Sequence, residues 1–496
     1  MSESNENAAD WPPVRRPRFP LAALGPIDRR RKLALVLPVL AAVALAAGLL
    51  AGRGDEPPSR AAALAPADAA LFVRAARGEP AERLLEIAGR FPALSAVRED
   101  VLGPGVDPRD IGPWLGDELA VALGGGGPLL LAAVADRPAA ERFRRGLPDG
   151  TASAFAGDFL AIGAQGEVEA AVARAGGDGE SLAGTRVFER AGEIERAPVE
   201  LYAPADGVRR LLADAPAAVR AVGAFADSPQ FEGVAARVVP EADGVRVSAR
   251  VMRAAGAAPP QEFAPVLTGR VPASAAAFLD LPGADALAEL LERGGAASAV
   301  NAVRTALPGL AGVDLDRDVL GPLGHEAAVT ITARGATPVI TLTAETDDPA
   351  LTREALARLQ EPLADQLAPR SPGFRSVEGD AFSLAVTPQL EPSYAVAGNI
   401  LIASTHGSGL AQRTLARRGL AQELSLRGVS EEAGGRIEAL AFADLRQLLA
   451  LGERTGLTVG PGFPATRDDL RQVRAAGAVV RREESDSTVE LFLEIP

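Results

Sequence analysis

Apolar positions along this chain fall into three patterns. The first is the uncharged run Leu33 to Gly52, interrupted only by Pro38 and placed directly after Arg29, Arg30, Arg31 and Lys32. Twenty residues at about 1.5 Å rise span about 30 Å, the hydrocarbon thickness of a bilayer, so the run predicts one transmembrane helix. Four cations precede it, and Arg53 is followed by Asp55 and Glu56 on the other side. That asymmetry puts the tail 1–32 in the cytoplasm and everything after Gly52 outside. A cleaved signal peptide fits less well. The run is longer than the usual apolar core of about 7–15 residues, and the tail before it carries Glu3, Glu6, Asp10 and Asp28.

The second and third patterns, helical spacing and strict alternation, share the outer region and recur there in one order. Pro66 to Val73 (Pro-Ala-Asp-Ala-Ala-Leu-Phe-Val) returns as Pro272 to Leu279 (Pro-Ala-Ser-Ala-Ala-Ala-Phe-Leu). Gly112-Pro113-Trp114-Leu115-Gly116-Asp117-Glu118 returns, one residue shorter, as Gly321-Pro322-Leu323-Gly324-His325-Glu326. Gly157 to Ile162 matches Gly398 to Ala403, and Leu201-Tyr202-Ala203 matches Leu440-Ala441-Phe442. Val234 to Val251 and Val473 to Ile495 each read as two strands around a polar turn. Five matched blocks in one order predict a tandem duplication.

The domain plan that follows is a disordered basic tail at 1–32, the anchor at 33–52, a linker at 53–63, a first repeat at 64–252, a linker rich in Ala and Pro at 253–265, and a second repeat at 266–496. Each repeat opens with a strand, Leu71 to Val73 or Ala277 to Leu281. In the first, Leu84, Leu85, Ile87, Ala88 and Phe91 then recur at helical spacing, with Glu82 and Glu86 on the other face. Hairpins follow at Leu119 to Val134 and at Ala327 to Thr343. Asp136 and Asp348, each just before a helical stretch that carries a proline in its first turn, read as helix N-caps. Hairpins separated by single helices favour α+β over a doubly wound sheet. The alternation of Val489, Leu491, Leu493 and Ile495 with Glu490 and Glu494 predicts one wet sheet face. The expected fold is therefore two tandem homologous α+β domains, each a mainly antiparallel sheet with helices on one face.

Composition narrows the function. The 496 residues carry a net charge of −14, and because the tail and anchor are net positive by three, the outer part stands at −17. That balance excludes nucleic acid and anionic lipid surfaces as partners. No cysteine is present, which removes disulfides, thiolate metal sites and a lipoprotein anchor. A single lysine beside abundant Arg, Ala, Gly and Pro points to a GC-rich bacterial genome, and so to the bacterial plasma membrane.

Candidate chemistry is sparse. Gly124 to Gly127 lacks the Lys and Ser or Thr of a phosphate loop and sits between strands, so it reads as a hairpin tip. Glu118 and Glu326 recur at one place in both repeats. Their neighbours Asp117 and His325 point to the opposite strand face, which gives the Glu a structural role satisfying backbone or cation partners near the turn. His325 and His406 are the only histidines, with no zinc spacing around them, and His406-Gly407-Ser408-Gly409 does not satisfy the serine nucleophile turn. Asp347-Asp348 and Glu483, Glu484, Asp486 lack calcium-loop spacing, and Trp114 reads as a packing residue. The tail's Pro12-Pro13 and Arg15-Arg16-Pro17-Arg18 read as a disordered polar segment. No catalytic, cofactor-binding or metal-ligating residue is assigned, and no cofactor is expected.

The basic tail, the single anchor, the opening Pro66 to Val73 and Trp114-Leu115-Gly116-Asp117-Glu118 leading into a strand resemble the bacterial membrane-associated family catalogued as domain of unknown function thirty-three fifty-two. The second half departs from it in lacking the Trp and in placing His325 where the first half has Asp117. The resemblance implies the topology and fold and no activity. The expected protein is single-pass and non-catalytic, binding or scaffolding in the cell envelope. Its expected partners are the membrane through Leu33 to Gly52 and an envelope protein. The alternatives are a carrier of a lipid or other apolar ligand, and a carboxylate-dependent hydrolase.

Overall fold

The computed structural model describes residues 59–496 apart from 77–82, 85, 88, 92–109, 149, 193–196, 214–225, 293–296, 368–372, 378–380, 388–389, 408–419, 421–425, 427–428, 430–434 and 457–462. The tail, the anchor and most of the first linker lie outside the described residues. Among those described, no helix is long and apolar enough to cross a membrane.

The strands are β1 (Leu71–Ala76), β2 (Leu115–Gly124), β3 (Gly127–Val134), β4 (Ala152–Ala156), β5 (Phe159–Gly163), β6 (Val199–Pro204), β7 (Phe231–Glu241), β8 (Gly244–Arg253), β9 (Ala277–Leu281), β10 (Leu323–Arg334), β11 (Thr337–Thr346), β12 (Gly373–Val377), β13 (Ala381–Ala385), β14 (Ser393–Ala397), β15 (Ile400–Ser404), β16 (Ala439–Asp444), β17 (Ala475–Glu483) and β18 (Asp486–Glu494). Between them lie helices α1 (Arg137–Arg145), α2 (Gln165–Ala175), α3 (Arg186–Ala191), α4 (Ala205–Ala213), α5 (Gly283–Leu291), α6 (Ala297–Ala311), α7 (Pro349–Leu367), α8 (Leu445–Thr455) and α9 (Phe463–Leu470). Short 3₁₀ turns at Ala61–Ala63 and Leu267–Arg270 precede the first strand of each half. The predicted caps are in place: Asp136 accepts from Ala139 N, and Asp348 from Leu351 N.

All eighteen strands form one antiparallel sheet. Outward from the middle, one side runs β8, β7, β6, β1, β2, β3, β5, β4. The other runs β18, β17, β16, β9, β10, β11, β15, β14, and then adds β13 and β12. The connectivity is the same on both sides, position by position. Registers agree as well, since Phe72 stands opposite Tyr202 and Phe278 opposite Phe442. This shifts the sequence match by one residue, with Tyr202, not Ala203, level with Phe442. Gly157-Asp158 and Gly398-Asn399 make equivalent two-residue hairpin turns.

Two expectations are corrected. Helices do not keep to one face, because adjacent residues of a strand enter different cores. Val73 packs with α1 and α4, while its neighbour Phe72 packs with α2 and α3. Every residue of β1 is buried. In the second half Ala327 packs with α7 and Ala328 on the opposite side with Leu267 and Phe442. On β18 the predicted wet face is the buried one. Glu490 and Glu494 are each 7 % exposed, because Ser248 Oγ on the neighbouring strand donates to Glu490 at 2.7 Å and Arg474 binds Glu494.

The two halves meet edge to edge. β8 and β18 pair over eight residues, from Gly244 opposite Glu494 to Val251 opposite Ser487. Asp486, with no exposed side-chain surface, accepts from Arg190 at 2.9 Å, Arg250 Nε at 2.8 Å and Arg253 N at 3.0 Å, so a carboxylate of the second half is neutralised by three groups of the first. Burial pushes its pKa up, but these donors outweigh it and hold it below the ordinary value. Val473 and Ile495 join the core of Leu71, Val73 and Val238. The end of the linker 253–265 packs on the second half, where Phe263 is buried and bridges to Ile437. The first linker enters the folded body at Ser59, where Ala61 and Ala62 are fully buried.

The seam predicts one cooperative unfolding transition for both halves. Asp486→Asn takes the buried charge away from the half-buried Arg190 and Arg250 and is expected to cost about 1.5–3 kcal/mol in urea unfolding at neutral pH. Two separated wild-type transitions, or a loss below about 1 kcal/mol, would contradict this.

Candidate functional site

Both halves carry a register irregularity at the same place. The β2–β3 register slips between Leu115 and Leu119, and the β10–β11 register between Leu323 and Ala327. Both slips fall on the Gly-x-Glu segment. A bulge here needs close strand approach: a Cβ on Gly116 would stand 3.1 Å from that of Ala133, and one on Gly324 2.8 Å from Asp347 Oδ1. Across the slip β2 spends two residues more than β3 and β10 two more than β11, and within it Glu118 is 0 % and Glu326 1 % exposed. Their neighbours Asp117 and His325 stay at the surface.

A buried carboxylate requires donors, and the preceding 3₁₀ turn supplies them. Glu118 accepts from Arg60 N at 3.0 Å and Ala61 N at 3.3 Å, and Glu326 accepts from Leu267 N at 2.7 Å. The N-terminus of the 3₁₀ turn is thus tied to the bulge in both halves.

Beyond that common bond the halves diverge. Glu118 also receives Ser59 Oγ at 2.7 Å and Arg74 Nε at 3.2 Å, and the buried Arg74 reaches Glu200 at 3.0 Å. In the second half Pro265 stands for Ser59, Asp280 for Arg74 and Leu440 for Glu200. Two buried carboxyl groups, Asp280 at 0 % and Glu326 at 1 %, therefore sit where the first half has an ion pair. Burial pushes the Glu326 carboxyl above its ordinary pKa, and the nearby Glu345 charge pushes the same way. Hydrogen bonds from the Leu267 and Val266 N–H groups and one shared with the Asp280 carboxyl oppose that shift.

Glu326 also borders a cavity of about 820 Å³. Its walls come from the segment Pro260–Val266, from His325, Glu326 and Glu345 on β10 and β11, and from Arg436 and Arg482 beside β16 and on β17. Arg482 pairs with Glu262 at 2.6 Å, and Arg436 donates to the Glu262 carbonyl. Sequence reasoning singled out Glu326 and missed Asp280. The signal was present, because Arg74 and Asp280 are charged residues inside matching apolar strand blocks.

Other candidates come to less. His406 is buried, with Nε2 3.4 Å from Glu391 and in contact with Arg334. Glu391 in turn accepts from Ser383 Oγ at 2.7 Å, so a carboxylate stands between serine and histidine, the wrong order for activating a nucleophile. Ser408 and Gly409 lie outside the described residues. Trp114 is buried against Phe143, ring centroids 5.1 Å apart. Among the described residues no group of three or more His, Asp or Glu is arranged to hold a metal ion.

No family model and no curated protein matches the chain. Among solved structures it is similar to TP0453 in crystal form I, with TM-score 0.27 and 10 % identity over 46 % of this chain and 77 % of that one. It is similar to crystal form III with TM-score 0.26 and 11 % identity over 42 % and 83 %. Likenesses at this level carry no functional weight.

Glu326 holds its proton more tightly folded than unfolded. The folded state is therefore favoured below the ordinary pKa of 4.5 and loses that advantage as pH rises toward the raised value. Stability in urea is expected to fall as pH climbs above about 4.5, and Glu326→Gln is expected to flatten that slope. Glu118→Gln is expected to destabilise at neutral pH instead, by about 3 kcal/mol, because it removes one of the two carboxylates that hold the buried Arg74. An unchanged slope in Glu326→Gln would contradict the assignment.

Proposed function

We propose that the chain is a single-pass protein anchored through Leu33 to Gly52, with the tail 1–32 cytoplasmic and two duplicated halves outside the bacterial plasma membrane, and that it binds or scaffolds in the envelope without catalysis. The observation that carries the reading is the seam: a continuous sheet with a shared core gives a rigid platform and not a hinge that closes on a substrate. The recurring strand order and the paired Glu118 and Glu326 support the duplication. The resemblance to domain of unknown function thirty-three fifty-two agrees with the same topology.

The carrier reading is weaker on the residues described. Both faces of each half are closed by packed side chains, and the cavity beside Glu326 is walled by Glu262, Glu345, Arg436 and Arg482 as well as by Phe263 and Val266. The hydrolase reading is weaker too, because among the described residues Glu391 stands between Ser383 and His406.

An export-dependent reporter enzyme fused to either end of the full chain tests the topology. Activity is expected from the C-terminal fusion and none from the N-terminal one; the reverse pattern would overturn the orientation. Native mass spectrometry of the detergent-extracted chain is expected to give no lipid-sized adduct that vanishes on denaturation. A stoichiometric adduct of that kind would favour the carrier.

A further inference from the structure

The sheet ends differently in its two halves. In the second half the last strand common to both, β14, is covered by β13, with Ala381 opposite Ala395 and Phe382 opposite Tyr394. The first half runs from α1 to β4 without that extra hairpin, and among the described residues β4 is paired by β5 alone. Register fixes which groups face out. The two-residue turn Gly157-Asp158 makes Ala156, Ala154 and Ala152 the residues that bond to β5, so Ser153 and Phe155 point their N–H and C=O groups away from the sheet. On β14 the corresponding edge is in use: Leu384 N donates to the Pro392 carbonyl at 3.0 Å, and Phe382 stands opposite Tyr394, the counterpart of Ser153.

Free edges are normally guarded by charge or proline. The far end of the sheet, β12, follows that rule, since Pro372 precedes it, Arg375 lies in it, and Glu378 and Asp380 follow it in the sequence. Thr151 to Gly157 reads Thr-Ala-Ser-Ala-Phe-Ala-Gly, with neither guard. We propose that β4 pairs antiparallel with β4 of a second copy of this chain, about a two-fold axis at Ala154. In that register Ser153 stands opposite the partner's Phe155 and exchanges two hydrogen bonds with it, and Ala152 stands opposite the partner's Ala156. Every facing pair contains a small side chain and no like charges meet, which is what an identical partner requires. The flanks of the strand fit the same symmetry. α2 packs over β3, β5 and β4. On its flank toward β2 and β3, Glu167 accepts from Gly126 N at 3.0 Å and Arg174 donates to the Leu64 carbonyl at 2.8 Å. Val172 lies on the opposite flank, toward the free edge, and is 39 % exposed, so a two-fold axis perpendicular to the sheet sets one Val172 flank against the other. The chain already joins sheet edges in this antiparallel way at β8 and β18. The new contact is short and gives a weak dimer in solution, whereas copies anchored in one membrane, as proposed above, meet at a higher effective concentration.

The chain has no cysteine, so one engineered thiol reports the contact. At the axis Ala154 meets its own copy as a non-hydrogen-bonded pair, with Cα atoms about 4.5 Å apart, within the span of a disulfide. The full chain in detergent carrying Ala154→Cys is expected to form a disulfide-linked dimer under mild oxidation, and Val303→Cys, exposed on α6 away from the edge, to stay unlinked. Sedimentation of the wild type is expected to show a reversible dimer with a Kd of about 10 μM or tighter. Ser153→Pro deletes an outward N–H and leaves the bonds to β5 in place, so it is expected to weaken the dimer at least about tenfold while the monomer stays folded by circular dichroism. Ser153→Lys, which adds the missing guard charge, makes the same test if the proline variant folds poorly. A wild type that stays monomeric at about 100 μM, a folded Ser153→Pro or Ser153→Lys variant that dimerises as tightly as the wild type, or Ala154→Cys linking no faster than Val303→Cys would each overturn the pairing. Linking of Ala154→Cys in cells to a different protein in place of its own copy would overturn the choice of partner. None of these results depends on the membrane topology or on a lipid-sized adduct, which test the envelope reading separately.

Discussion

A carboxylate buried at the first bulge of a hairpin must be given protons or positive charge, and the structure solves that requirement twice with one frame. The bulge turns Glu118 and Glu326 inward, and the 3₁₀ turn before each half's first strand lends them its N-terminal N–H groups. This bond ties the entry of the chain to the sheet and sets where β1 and β9 begin. What differs is the residue facing the carboxylate across the strands. With Arg74 it is a buried ion pair; with Asp280 it is a pair of carboxyl groups that share a hydrogen bond beside a cavity.

The seam gives the frame its rigidity. Pairing β8 with β18 removes the free edge that each half would expose on its own, and edge strands are a liability for association. Asp486 then holds the two halves in register, because Arg190, Arg250 and the Arg253 N–H reach it from the first half. The sheet is covered on both faces, so the chain presents loops and cavity mouths, not a bare sheet surface, to whatever lies outside.

Much of this fold was legible in the sequence, for identifiable reasons. The turn glycines, the N-cap aspartates at Asp136 and Asp348 and the alternating strands act locally, so their positions follow from a few neighbouring residues. The order of the matched blocks anticipated the matching strand order. What failed was non-local. Glu490 and Glu494 look solvent-facing until β8 supplies Ser248 and Arg474 binds Glu494, and a one-residue match error around Leu440 is invisible until Phe442 is seen opposite Phe278. The helices' distribution over both faces was likewise hidden, because strands such as β1 are apolar on both sides and show no alternation. Of the candidate site, Glu326 was found through its recurrence. Asp280 was not, since its meaning lies in what replaces Arg74 and not in any motif.

The central claim is that the same frame buries an ion pair in one half and a hydrogen-bonded pair of carboxyl groups in the other. The most direct test compares equilibrium unfolding of Arg74→Gln and Asp280→Asn at neutral pH. The first removes a buried cation from Glu118 and should destabilise by about 3–5 kcal/mol, while the second keeps a hydrogen-bonding partner for Glu326 and should change stability by less than about 1 kcal/mol. A large loss from the first and a small change from the second are predicted. Destabilisation by Asp280→Asn comparable to that of Arg74→Gln would contradict the account.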